Sequence, residues 1–253
     1  MNSPRIGVVS LFPEAFEFLQ NKEKSGLIGR AFLDSKVEFF TTDLRQFGEG
    51  KHKVVDDMPF GGGDGMVLKP GPLKAAIDDL ISKMNSTREN TKVVFMSPAG
   101  DLWNQSTAER WALDLREQST SLILVCGRYA GFDQRLVEYF GGNEVSLGPF
   151  ILNGGELPAL CVIESLVRIL PGVLGNAESA LKDSFSVGSE GRVEAPSFTR
   201  PQDWEGVQVP EVLTAGNHKA VEAFRNQASI ERTKRWVEKA QKAISPNGQD
   251  TEK

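Results

Sequence analysis

Leu122-Ile123-Leu124-Val125-Cys126, followed at once by Gly127-Arg128-Tyr129, is the stretch that decides the fold class. Its apolar run is short for a helix and too continuous for a half-exposed strand. It is therefore expected as a strand covered on both faces, as in a parallel sheet flanked by helices. Val93–Met96 reads the same way, and Ile6–Leu11, Val37–Phe40 and Val145–Leu147 are further strand candidates. Helix candidates lie between them: Pro13 and Glu14 open one, Pro72 starts another through Met84, and Ser106–Glu117 and Phe132–Phe140 follow. This alternation predicts an α/β domain with a mostly parallel sheet. Leu157–Leu170 reads as a buried helix, apolar nearly all round and ended by Pro171-Gly172. Its charges, Glu164 and Arg168, stand four residues apart on one face.

Beyond that helix the pattern weakens. Gly172–Pro196 is rich in Gly, Ser and acidic residues without a sustained period, so it is expected as a linker. The resulting division is a domain over 1–171, a linker over 172–196 and a small helical domain over 197–253. Within Gly216–Lys242, seven cations (Lys219, Arg225, Arg232, Lys234, Arg235, Lys239 and Lys242) face Glu222, Glu231 and Glu238. They form either a solvated helix face or a surface for phosphates. Ser245–Lys253 is expected as a frayed polar tail.

Composition removes several function classes. The chain has 253 residues, 40% hydrophobic and 25% charged, which is the make-up of a globular protein with a sizeable core. Cys126 and Cys161 sit in apolar runs without a CxxC pair, so neither a disulfide scaffold nor a zinc knuckle is expected, and a reducing cytoplasmic setting fits. With His52 and His218 as its two histidines, the chain can form no three-His metal site and no HExxH helix. Its apolar runs fall far short of the roughly 20 residues that span a bilayer, so no membrane partner is expected. A net charge of −5 gives no global attraction to nucleic acid, and any RNA contact must come from local patches.

Neither GxGxxG nor GxxxxGK[ST] occurs. Pro-Pro-aromatic and Pro-Cys methyltransfer signatures are also missing. Four glycine clusters remain: Gly61-Gly62-Gly63-Asp64-Gly65, Gly127-Arg128-Tyr129-Ala130-Gly131, Gly141-Gly142, and Gly148 through Gly154-Gly155. Glycines permit close backbone approach, so loops of this kind at strand ends can wrap a ligand at the carboxyl edge of a parallel sheet. Gly141-Gly142 reads as turn chemistry, and Gly61–Gly65 equally as a surface loop or a ligand loop. In Leu147–Pro158, apolar residues interleave with glycines and prolines, which predicts an ordered, mostly buried loop able to hold a flat, partly apolar ligand by its main chain.

Seven motifs, taken in order, resemble one family. They are Ser10-Leu11-Phe12-Pro13-Glu14, Val55-Asp56-Asp57-Met58-Pro59-Phe60-Gly61-Gly62-Gly63, Leu124-Val125-Cys126-Gly127-Arg128-Tyr129, Asn153-Gly154-Gly155-Glu156-Leu157-Pro158, Pro171-Gly172-Val173-Leu174-Gly175, Asp183-Ser184-Phe185, and Val209-Pro210-Glu211-Val212-Leu213 with Gly216-Asn217-His218. The family is the bacterial tRNA (guanine-37-N1)-methyltransferases, and the resemblance runs from about Ile6 to Trp236.

That resemblance implies an S-adenosylmethionine-dependent enzyme of the SPOUT class, with a trefoil-knotted α/β domain, a small helical C-terminal domain that binds tRNA, and an obligate homodimer. Its substrate would be tRNA with a guanosine at position 37. The positions that correspond to the family's donor site are Phe95, Met96, Ser97 and Pro98; Gly127, Arg128 and Tyr129; Leu147 and Gly148; Phe150, Ile151 and Leu152; and Gly154, Gly155 and Pro158. Catalysis would fall to Asp183 as general base and to Arg168. Read from the residues alone, Asp183 is a solvated linker residue and Arg168 an ordinary i,i+4 partner of Glu164. Two positions depart from the family pattern: Ala130 replaces the glutamate of Gly-Arg-Tyr-Glu-Gly, and Pro149 replaces a common aspartate. Asp64 also stands where proline is common. The family is reported to need Mg²⁺, and the Ala130 departure bears on it. Two alternatives stay open: a SPOUT methyltransferase with another RNA target, and a catalytically impaired homologue that binds RNA.

Overall fold

The computed structural model describes residues 3–21, 26–175 and 177–244, so the expected tail Ser245–Lys253 lies outside the described residues. The chain divides into two compact units, residues 1–176 and 177–253. The boundary falls inside the segment 172–196 expected as a linker.

In the first unit, β1 (Arg5–Ser10), β2 (Glu38–Asp43), β5 (Thr91–Leu102), β6 (Ser121–Cys126) and β7 (Glu144–Ser146) form a sheet of order β2-β1-β6-β5-β7. Every neighbouring pair is parallel. A two-stranded pair, β3 (Asp56–Asp57) with β4 (Val67–Leu68), stands apart as an antiparallel ribbon. The helices are α1 (Gly26–Leu33), α2 (Pro70–Lys83), α3 (Gln105–Glu117), α4 (Gln134–Tyr139) and α5 (Glu156–Val167), with a 3₁₀ segment over Pro13–Gln20.

The run that announced the fold behaves as a two-faced strand should. Leu122, Leu124 and Cys126 join a cluster with Ala112 and Leu115 of α3 and Ile163 and Leu166 of α5. Ile123 and Val125 point the other way, into a cluster with Leu73, Ile77 and Leu80 of α2 and Leu136 of α4. Side chains alternate along a strand, so apolar packing on both faces demands an unbroken apolar sequence. All six residues of β6 are buried.

Three expectations needed correction. β5 runs well past Met96: the chain leaves the sheet at Ser97–Gly100 and returns, so that Met96 and Asp101 both pair with Val145. A Cβ on Gly100 would lie 2.3 Å from the Val145 nitrogen, which explains why glycine ends that excursion. Second, α5 is not buried all round. Its Ala159, Val162, Ile163, Leu166 and Val167 stripe packs on the sheet, whereas Leu157 and Cys161 are exposed. Third, the apolar residues of Leu147–Pro158 are not buried, since Phe150, Ile151 and Leu152 are all exposed. The turn expected at Gly141-Gly142 closes α4: both have positive φ, and their amides donate to the Glu138 and Val137 carbonyls.

The second unit contains α6 (Ala177–Lys182), a small ribbon of β8 (Asp203–Trp204) with β9 (Val207–Gln208), and the long α7 (His218–Ile244). The segment between α6 and the ribbon is fastened to α7. Phe185 packs on Trp236 with ring centroids 4.6 Å apart. The Val193 amide donates to Thr233 Oγ1 at 2.9 Å, and Ser229 Oγ donates to the Val193 carbonyl at 2.6 Å.

Candidate active site

A cavity of about 410 Å³ opens at the mid-strand excursion of β5 and the carboxyl ends of β6 and β7. Ligands of open parallel sheets are expected on that edge, and the size suits a small organic ligand. Three loops build it. The excursion within β5 contributes Met96, Ser97, Pro98 and Ala99, and the loop after β6 contributes Gly127 through Phe132. The end of β7, the segment after it and the first turn of α5 contribute Ser146, Leu147, Gly148, Phe150, Ile151, Leu152, Asn153, Gly154, Gly155 and Pro158.

Fourteen of the fifteen residues singled out as donor-binding therefore converge on one cavity, and the exception is Phe95. Phe95 is fully buried one residue earlier on β5, edge-on to Phe132 at 5.1 Å between ring centroids. It supports the wall through Phe132. Sequence reasoning missed Glu144, Gln134 and Val137, which also line the space, as does Asn153 of the expected Leu147–Pro158 loop. Glu144 precedes Val145 at a strand start, a position that carries no ligand signal of its own.

Close backbone contact shapes the wall. Gly155 caps α5, and its amide donates to the Gly127 carbonyl at 2.9 Å. Arg128 and Gly154 form an isolated antiparallel bridge beside it. Tyr129 adopts a left-handed backbone, φ +58°, which a non-glycine residue rarely holds. The Ala130 amide donates to the Met66 carbonyl at 2.8 Å and the Leu68 amide to the Gly131 carbonyl at 2.9 Å. These bonds tie the β3–β4 ribbon, with Gly61–Gly65 at its turn, to the rim of the cavity. Phe60 in that turn is 99% exposed.

A charged network lies directly behind the wall. Glu156, 5% exposed, accepts from Ser10 Oγ at 2.7 Å and from Arg128 Nε at 3.3 Å, and pairs with Arg128 Nη2 at 2.9 Å. The Arg128 guanidinium also lies 4.3 Å from the centre of the Phe12 ring. Burial, followed by the Glu156 charge, pushes the Cys126 thiol well up, with Arg128 partly opposing. Cys126 is thus a buried thiol of the core behind the cavity, held away from the thiolate form a nucleophile needs.

Arg168 caps the C-terminal end of α5, and its amide donates to the Glu164 carbonyl at 3.3 Å. Burial raises the Glu164 carboxyl while the Arg168 charge pulls it back, so the two residues do share a helix face. Asp183 belongs to the second unit, where its carbonyl accepts from the Ser186 amide at 3.2 Å. Phe185, two residues on, holds φ +68°.

Residues 4–240 match the family described as tRNA (Guanine-1)-methyltransferase TrmD. The chain belongs to that family. Among its relatives, proteins from Bacillus subtilis (strain 168) and Listeria innocua, each named tRNA (guanine-N(1)-)-methyltransferase, are 41% identical over 229 residues. Those alignments cover 90% of this chain and 88% of each relative. A Brevibacillus brevis protein of the same name is 42% identical over 230 residues, covering 91% of this chain and 88% of its own. In this TrmD-family chain, no helix among the described residues is long and apolar enough to cross a membrane.

Proposed function

We propose that this protein methylates N1 of guanine in tRNA, at position 37 beside the anticodon, with S-adenosylmethionine as donor. The observation that carries the reading is family membership across residues 4–240 together with a cavity built from the excursion of β5 and the loops after β6 and β7. When bound, the donor supplies an electrophilic methyl on a cationic sulfur. The cavity suits it: apolar Leu147, Phe150, Ile151 and Leu152 offer surfaces for a flat base, and the surrounding main chain offers hydrogen-bonding groups.

Guanine N1 carries a proton that must leave as the new bond forms. An aspartate with a pKa of about 3.9 is too weak to ionise neutral guanine beforehand. The proton becomes far more acidic as positive charge grows on the ring, so Asp183 would take it late in the reaction. Arg168 would donate to guanine O6, stabilising electron density pushed there and fixing the base edge with its planar fork.

Mg²⁺ does not fit the described residues well. No group of three His, Cys, Asp or Glu side chains comes together there, and Glu144 is the one acid lining the cavity. No step above uses a metal.

The exposed Leu157 and Cys161 on α5, and the exposed Phe150 and Ile151, support a homodimer in which a partner covers them. Each site would then combine the cavity of one subunit with Asp183 of the other. The trefoil knot expected of the SPOUT class would tie the segment after β7. For tRNA, the second unit offers α7 with its seven exposed cations and a cavity of about 880 Å³ lined by Lys182, Arg192, Arg200 and Arg225.

Incubation with labelled donor and two tRNA transcripts, bearing G or A at position 37, tests the reading. Label should enter the G37 transcript alone and block reverse transcription there, because N1 methylation removes a pairing hydrogen. Label on both transcripts would point to another RNA target, and label on neither to an RNA-binding homologue without activity.

A further inference from the structure

Arg128 is the only cation among the described residues that line the cavity, and the α5 N-terminus, with its partial positive charge, opens onto the same wall at Gly154-Gly155. Left uncompensated, the two would make that wall repel a sulfonium. Glu156 occupies the first position of α5, where its carboxylate meets both: it pairs with Arg128 and sits in the first turn of the helix. It is reached by the Ser10 hydroxyl from β1, does not itself line the cavity, and is nearly inaccessible. The carboxylate is therefore not placed to bind a ligand directly. Glu144, the one acid that lines the cavity, begins β7, whereas Glu156 is the acid paired with Arg128, and Ala130 offers no charge to share that task.

We infer that Glu156 is a positioning and charge-balancing residue for the donor: by offsetting most of the positive charge of Arg128 and the α5 terminus it lowers the cavity's discrimination against a cationic ligand. This rests on S-adenosylmethionine being the donor. A Cβ on Gly154 would come within 2.3 Å of Arg128 Nε and 2.4 Å of Glu156 Oε2, so the ion pair lies flat against the cavity backbone. With Glu156→Gln, the volume and the acceptor for Ser10 remain while Arg128 keeps an unbalanced charge.

The test compares two ligands of nearly identical shape, S-adenosylmethionine and S-adenosylhomocysteine, which differ by one methyl and one positive charge. Dissociation constants are measured by calorimetry on the full chain, with melting temperature as the check on folding. For Glu156→Gln the ratio of the methionine to the homocysteine constant should rise about three- to thirty-fold, the range for one unit of charge across a cavity at an effective dielectric of about 20 to 40. Arg128→Gln, which removes the cation and leaves Glu156 in place, should lower the ratio below wild type. The double variant should return it to within about twofold. Equal weakening of both ligands in Glu156→Gln, with the wild-type ratio preserved, would reduce Glu156 to a packing residue and overturn the inference. If that variant does not fold, an unchanged ratio in Arg128→Gln overturns it instead. Failure of the wild-type protein to bind either ligand would sink the donor reading itself.

Discussion

The amide of Gly155 donates to the carbonyl of Gly127 at 2.9 Å, joining the start of α5 to the end of β6 through two residues that both lack a side chain. The requirement at Gly155 is one of space, for its φ of −81° is open to any residue. A Cβ there would lie 2.7 Å from Cys126 Cα, 2.8 Å from the Gly127 nitrogen and 2.9 Å from Met96 Cβ. Two of those three atoms are backbone, so the neighbours cannot turn aside.

Gly155→Val should therefore separate the two loops and abolish donor binding in calorimetry. Gly62→Ala provides the contrast. Gly62 has φ +80° and nothing within 4 Å of a built Cβ, so alanine there costs roughly 1 kcal/mol of backbone strain and leaves donor affinity unchanged. Retained binding in Gly155→Val would move the donor out of this cavity.

The contrast shows what the sequence could and could not convey. Leu122–Cys126 announced a doubly covered strand because burial on both faces leaves its mark on every residue of the run. The glycine loops announced a ligand edge, and the family resemblance named fourteen residues that the structure gathers at one cavity. Glu156 was harder to read. One carboxylate ahead of an apolar helix looks like a favourable charge in a first turn, and its partners Ser10 and Arg128 lie 146 and 28 residues away. The β3–β4 ribbon was equally silent, since two residues per strand are too few to show a period. The exposure of Leu157 was invisible for the opposite reason, because an apolar residue reads the same whether it meets the core or a partner.

Asp183→Asn should slow single-turnover methylation roughly 10²–10⁴-fold with donor affinity intact, the usual worth of a general base. Arg168→Ala should slow the same step about 10²–10³-fold. If the sites are shared between subunits, mixing Asp183→Ala subunits with Gly155→Val subunits should restore about one working site per heterodimer. No recovery in a mixture shown to exchange subunits would mean that each chain supplies its own base.

Asp133 caps α4, the helix that contributes Gln134 and Val137 to the cavity, and its Oδ1 accepts from the Arg135 amide at 3.0 Å. Its side-chain hydrogen bond from Arg135 holds the carboxyl below its ordinary value of 3.8. A carboxyl lowered on folding contributes stability above its unfolded pKa and loses it as pH falls through the folded one. Asp133→Asn keeps an acceptor for the cap and removes this dependence, so its melting temperature should fall less steeply than wild type below pH 3.8. Parallel acid profiles would show the pair to be without thermodynamic weight. Asp133→Ala should cost about 1 kcal/mol at neutral pH through the lost cap.

Ala130 lines the cavity, is exposed, and donates its amide to the Met66 carbonyl, so a longer side chain there has room to extend without disturbing the backbone bond. A built Cβ on Gly65 of the adjoining ribbon would come 3.5 Å from Ala130 Cβ, ordinary contact that a glutamate can leave by pointing toward the cavity. Ala130→Glu would add a second carboxylate to a lining that already holds Glu144, attracting a sulfonium and offering a ligand to a divalent cation. Donor binding should persist or tighten, and single-turnover methylation should become faster and more responsive to Mg²⁺. The measurement is a Mg²⁺ titration of both proteins, repeated after chelation, with the rate at saturating donor as readout. Superimposable curves for Ala130 and Ala130→Glu would show that the acid has no part in the chemical step in this chain, and that its balance of charge already suffices without it.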